Sequence, residues 1–154
     1  MNIFTHLKSE HDKFRKTANE IHDTTDRAEV TRNEKYAELR RGIITHHEAE
    51  EVVLVPALKN HKETKDMGME IVEEHHVLEY IISELDKLDV TDETWGVKFG
   101  VFKEILEHHL KEEEEEIANE AQKILGKEKL EELNEEYEKE HEVQKEKYDK
   151  KQNK

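Results

Sequence analysis

The residues best suited to chemistry are histidines and glutamates spaced one helical turn apart. In T-H-H-E-A-E-E-V-V-L-V-P-A-L, residues 45–58, His46 and Glu50 stand four apart and would share one face of a helix. Leu39, Ile43, Val53 or Leu54 and Ala57 fall on the same stripe at steps of three and four, which predicts that this face is buried. His47 and Glu51 form a parallel pair, and the spacing points only the first pair inward. The device recurs in E-H-H-L-K-E-E-E-E-E-I, where His109 and Glu113 continue a stripe of Trp95, Phe99, Phe102, Leu106 and Ile117. Burying an imidazole and a carboxylate among Leu, Ile and Val costs several kcal/mol unless they are paired or ligate a metal. His11 and His75 occupy inner positions of two further apolar stripes. Four imidazoles and two carboxylates without sulfur suit iron, manganese or zinc, and a carboxylate can bridge two ions where a histidine cannot. The pattern points to a two-metal site.

Four amphipathic helices would position these groups. The first is expected over about 2–23, with Ile3 or Phe4, Leu7, His11, Phe14, Ala18 and Ile21 as its stripe, and D-T-T-D at 23–26 capping the next helix. The second starts near Asp26 or Thr31 and is expected to kink or stop at Pro56. The third spans about 66–88 with Ile71, His75, Leu78, Ile82 and Leu85 inward, and the fourth about 93–125, closed by Gly126. Short connections then predict an all-α, antiparallel up-down four-helix bundle. Its domain would be residues 1–126, followed by a charged helical tail, 127–154, read as a short docked helix with a frayed end. Glu138 and His141 in that tail imitate the Glu-x-x-His step of ferritin-like proteins but sit in a polar setting. His61, His76 and His108 read as solvated or flanking, and so do Glu112, Glu114, Glu115 and Glu116.

Composition narrows the function. With 154 residues, 33% hydrophobic and 42% charged, 5 Gly and 1 Pro, the chain suits one domain of long solvated helices. A formal charge of −15 disfavours nucleic acid and anionic membranes as partners. The absence of cysteine excludes disulfides and thiolate chemistry. No apolar signal core opens the chain and no span of about 18 apolar residues occurs, so a cytoplasmic protein is expected. The charged faces predict a monomer.

The motifs L-K-S-E-H-D-K-F at 7–14, H-H-E-A-E-E-V-V-L-V-P-A-L at 46–58, E-E-H-H-V-L-E-Y-I-I-S-E-L at 73–85 and E-H-H-L-K-E-E-E-E-E-I at 107–117 together resemble the hemerythrin-like HHE cation-binding family. The resemblance covers residues 3 to about 125. It implies a non-haem pair of iron ions with an oxo or hydroxo bridge, terminal ligands His11, His46, His75 and His109, and bridging Glu50 and Glu113, with manganese or zinc as lesser alternatives. It implies binding or sensing of dioxygen, nitric oxide or peroxide, with peroxide decomposition or iron storage and delivery as alternatives. Oxygen-carrying hemerythrins have two histidines one turn apart on the third helix, whereas here the residues four from His75 are Ile71 and Glu79. His47, His22, Glu74 and Glu79 are the candidates to complete the shell, or a solvent position stays open.

Overall fold

The computed structural model describes residues 1–152, which are helical apart from their connections and contain no strand. The helices are α1 (Ile3–His22), α2 (Glu29–Lys59), α3 (Lys65–Asp86), α4 (Glu93–Glu112), α5 (Ala118–Leu125) and α6 (Lys127–Gln152). A π-helical turn, Glu113–Ile117, joins α4 to α5. Helix α2 packs against α1, α3 and α6, α3 packs on α4, and α1 touches α4 and α6 as well. No helix among the described residues is long and apolar enough to cross a membrane.

Local sequence explains most of the ends. Asn2 caps α1 by accepting the Thr5 N–H at 3.0 Å, and Asp92 caps α4 by accepting that of Thr94 at 2.7 Å. The D-T-T-D run does not cap α2, whose N-cap is Ala28 without a side-chain bond. It folds instead into a turn in which the Thr24 hydroxyl donates to the Ile21 carbonyl and accepts from Arg32. Pro56 neither stops nor ends α2, which continues to Lys59. Proline here removes only the bond to the Val52 carbonyl, on a half-exposed residue that water can reach. Gly126 closes α5 with φ of +82°, a conformation that any Cβ would strain, and α6 starts at the next residue.

The core is divided. One cluster gathers Ile3, Phe4, Leu7, Leu54, Leu58, Ile71 and Ile117 with Leu130, Leu133 and Tyr137 from α6. The other gathers Phe14, Ile43, Leu78, Ile82, Trp95, Phe99, Phe102 and Leu106. His11, His46, Glu50, His75, His109 and Glu113 occupy positions between the two sets along α1, α2, α3 and the α4–π segment. Every residue expected on the α1 stripe is buried.

The C-terminal region departs from expectation. In place of a short helix with a frayed end, α6 runs for 26 residues, and only residues 153 and 154 of the expected tail lie outside the described residues. Arg41 holds Asp149 at 2.9 Å and Arg40 donates to the Tyr148 hydroxyl at 2.6 Å, so α6 is tied to α2 along its length. Its apolar face is therefore structural. Leu133→Ala is expected to destabilise the chain by about 2 to 4 kcal/mol in urea unfolding, as for other buried leucines, whereas a solvated tail would give about 0.5 or less.

Candidate metal centre

The six residues singled out by spacing come together in one buried layer. His11, Glu50, His75 and Glu113 are fully buried, and His46 and His109 nearly so. His47 joins them at 1% exposure, although the stripe on α2 points it away. Successive residues of an α-helix are about 100° apart, and Glu50 falls within the arc between His46 and His47. Helix α2 is enclosed by α1, α3 and α6, so this whole arc faces protein. His46 lies 3.2 Å from His11, Nε2 to Nε2, while the His47 ring stacks on that of His75 with centroids 3.6 Å apart.

Two donor sets result. Ligand-type atoms of His11, His46 and Glu113 lie within 4.8 Å of one another, and so do those of His47, His75 and His109. Glu50, His75, His109 and Glu113 form a third group on the same criterion, which joins the two carboxylates to the second imidazole set. Glu50 also approaches His46 at 3.3 Å, and Glu113 approaches His11 at 3.3 Å, so both carboxylates touch both sets.

All five rings are turned the same way. His11 donates through Nδ1 to Glu114 at 2.8 Å, His46 to Glu10 at 2.8 Å and His75 to Glu51 at 2.9 Å. His109 donates to Glu74 at 2.6 Å and His47 to Glu79 at 3.1 Å. A carboxylate accepts only, so each contact places the proton on Nδ1 and leaves Nε2 as a lone pair when the ring is neutral. Four of these contacts form a ring: α1 serves α2, α2 serves α3, α3 serves α4, and Glu114 returns to α1. In each, the serving glutamate is the sequence neighbour of an inner group: Glu10 of His11, Glu51 of Glu50, Glu74 of His75, Glu114 of Glu113. The π-helical turn starts at the last of these pairs, where adjacent residues grip opposite edges of His11.

Both oxygens of Glu50, both of Glu113, and Nε2 of His75 and His109 have no hydrogen-bond partner among the described residues. Lone pairs nonetheless converge at 3.2 Å between His75 and Glu50 and 3.6 Å between His109 and Glu113. Buried acceptors left facing one another are costly, and either protons on the imidazoles or a bound cation satisfies them. Imidazole nitrogens oriented by outer carboxylates are the usual arrangement of metal-ligating histidines. The residues present fit a metal.

The electrostatics agree with a charge-sensitive pocket. Burial and the neighbouring Glu50 carboxylate hold Glu113 above the usual carboxylate range. Burial alone would lower His46, but Glu50 and Glu10 outweigh it and raise the imidazole to about 10. The same opposition, with Glu50 and Glu51, raises His75 to about 9. His47 goes the other way, well below its ordinary value, because burial is reinforced by the adjacent His75 and His109. Burial would raise Glu114, yet His11 and Arg15, the latter 2.8 Å away, bring it to about 2.

Other candidates fall outside this layer. His22 is exposed near Gly100 at the far end of α1, and His76 and His108 are exposed, as expected. Glu74 and Glu79 lie behind His109 and His47 rather than among the inner atoms. Glu114, read from sequence as a solvated face, is the outer partner of His11. Glu10 was not marked by the spacing, and Glu51 only as the partner of His47 in the outward pair; their adjacency to His11 and Glu50 was the available signal.

An all-helical chain closed around such a donor layer defines a class, the helical cation-binding proteins. The hemerythrin HHE cation binding domain matches residues 2–121, and the chain belongs to that family. No curated protein and no solved structure matches it.

The metal-free protein has a defined pH response. Folded-state values of about 10 for His46 and about 9 for His75 exceed the ordinary 6.5, so their stabilisation is complete below the ordinary value and is lost as pH rises. Thermal melting of chelator-treated protein is expected to drop between about pH 7 and about pH 10. A flat or rising profile would show that these imidazoles are not charged in the metal-free fold.

Proposed function

We propose that the chain holds a pair of iron ions and binds dioxygen or a related small oxidant, nitric oxide or peroxide. The observation that carries this reading is the convergence of five Nδ1-anchored imidazoles on two carboxylates that have no hydrogen-bond partner among the described residues. In it, His11 and His46 would hold one ion and His47, His75 and His109 the other, with the Glu50 and Glu113 carboxylates within reach of both sets. Helices α1 to α4 form an antiparallel up-down four-helix bundle around the pair, within residues 1–126, and α6 extends it. The all-nitrogen and oxygen donor set suits iron, with manganese and zinc as weaker fits.

When bound, such a pair supplies redox-active Lewis acid centres to which a small ligand can attach. The chain's own residues do the rest. His11, His46 and Glu113 form the smaller donor set, with Glu50 3.3 Å from His46, and His47, His75 and His109 with both carboxylates form the larger. The smaller donor set at His11 and His46 would leave a coordination position there for a small ligand. Phe14, packed edge-on to His46 with centroids 5.2 Å apart, and the two apolar clusters keep bulk water from that side. The outer glutamates hold each ring in place, so little reorganisation accompanies binding.

The case for a peroxide-decomposing enzyme rests on an incomplete imidazole set. The burial of His47 beside His75 and His109 supports a completed set and so favours binding over turnover, and the burial of the donors argues against ready iron delivery. Protein purified from iron-supplemented cells is expected to carry about two iron ions per chain and to give an optical band that changes reversibly with oxygenation. His47→Ala should lower the iron content to about one per chain without unfolding the protein. Well under one iron in a folded, unmutated chain would refute the metal pair, and sustained oxygen release from peroxide would favour the enzyme.

A further inference from the structure

The outer glutamates are not equivalent. Glu51, Glu74 and Glu79 leave 28%, 23% and 32% of their side chains exposed. Glu114 and Glu10 are at 14%, and each is braced by a further group. Arg15 grips Glu114, with bonds of 2.8 and 3.1 Å. Glu10 is gripped from α6, which begins beyond the matched residues 2–121. The fully buried Tyr137 hydroxyl lies 2.6 Å from Glu10 Oε1 and 2.9 Å from His46 Nδ1. His141 Nδ1 lies 3.1 Å from Glu10 Oε2, with its Nε2 3.1 Å from the Thr45 hydroxyl, and His6 approaches the same Glu10 oxygen at 3.4 Å.

The hydrogen count fixes the arrangement. Tyr137 has one proton and Glu10 only accepts, so the phenol donates to Glu10. Its oxygen is then free to accept, and the His46 Nδ1–H is shared between Glu10 and Tyr137. Two acceptors on different helices now define the plane of the His46 ring. We infer that Tyr137, supported by His141, is a positioning residue for the metal centre: it fixes Glu10 and the His46 ring, so the C-terminal helix sets the metal affinity of the His11 and His46 half. The inference rests on the metal pair proposed above. Helix α6 has a packing role as well, through Leu130 and Leu133, and the two roles separate because the hydroxyl can be removed while the ring stays.

The test is a cobalt(II) titration of the full metal-free chain against a competing chelator, followed by the optical spectrum of bound cobalt. Tyr137→Phe is expected to weaken one of the two cobalt equivalents by about tenfold and leave the other within about twofold, the scale seen when outer partners of ligating histidines are removed. The cobalt spectrum of the weakened equivalent should shift, while that of Leu133→Ala, less stable but with the hydroxyl in place, keeps the unmutated form. If the phenol acts through Glu10, adding Tyr137→Phe to Glu10→Gln should cost little more than Glu10→Gln alone. His141→Ala, at the edge of the network, should weaken the same equivalent by less and serves if the phenylalanine variant does not fold. Two equivalents unchanged in Tyr137→Phe, or both weakened equally, would overturn the inference while the metal pair stands. No cobalt bound by the unmutated chain would remove the metal pair, and the inference with it.

Discussion

Two buried carboxylates with no hydrogen-bond partner among the described residues, Glu50 and Glu113, are the constraint around which the molecule is built. An isolated carboxylate in an apolar interior costs many kcal/mol, and no arrangement of Leu, Ile and Phe reduces that. The chain answers with five imidazoles around the two acids and five further glutamates behind the imidazoles. The inner groups present lone pairs to one small volume, and the outer groups hold the protons away from it. Apolar clusters to either side keep the layer dry, which makes each electrostatic contact stronger than it would be in water. An acidic centre embedded in an acidic chain is stable only if something positive occupies it, either protons on His46 and His75 or a cation.

Much of this was legible from spacing alone. The α1 stripe, the inward His11, His46, Glu50, His75, His109 and Glu113, and the stop at Gly126 all follow from a 3.6-residue period and from the few residues that break it. His47 was legible only as one of four candidates to complete the shell, because a single-stripe reading assumes that one face of a helix is wet. Helix α2 has protein on three sides, and its dry arc is wide enough to take in two successive histidines. His47 turns towards α3 and α4, where Glu79, His75 and His109 meet it, while α6 covers the other flank at Thr45 and His46. Helix α6 itself reads poorly, with Leu130, Leu133 and Tyr137 spread through a run of Lys and Glu. The outer glutamates were hidden for a different reason. With 40 acidic residues in the chain, no single one stands out, and only its position next to an inner group separates Glu10 or Glu51 from the solvated majority.

The ring of outer contacts also explains why local irregularity gathers where it does. Three of its links run between regular helices, but the fourth must return from the end of α4 to α1. There Glu113 approaches the inner edge of His11 while Glu114 takes its outer edge. The π-helical turn covers these two residues and ends at Ile117, which re-enters the apolar cluster with Ala118 and Ala121. A wider turn at this point lets one stretch of backbone meet both demands, and the ordinary helical period resumes in α5.

Helix α2 has a consequence beyond supplying donors. His46 serves one half of the layer, His47 the other, and Glu50 lies between them, all within little more than one turn of a single helix. The separation of the two halves is thus written into covalent geometry, like graduations on a ruler, and does not depend on how the other helices settle. Breathing of α1, α3 or α4 would alter the angles at which their histidines approach while leaving the span itself nearly constant. A bundle with soft outer walls can in this way keep a hard internal measure.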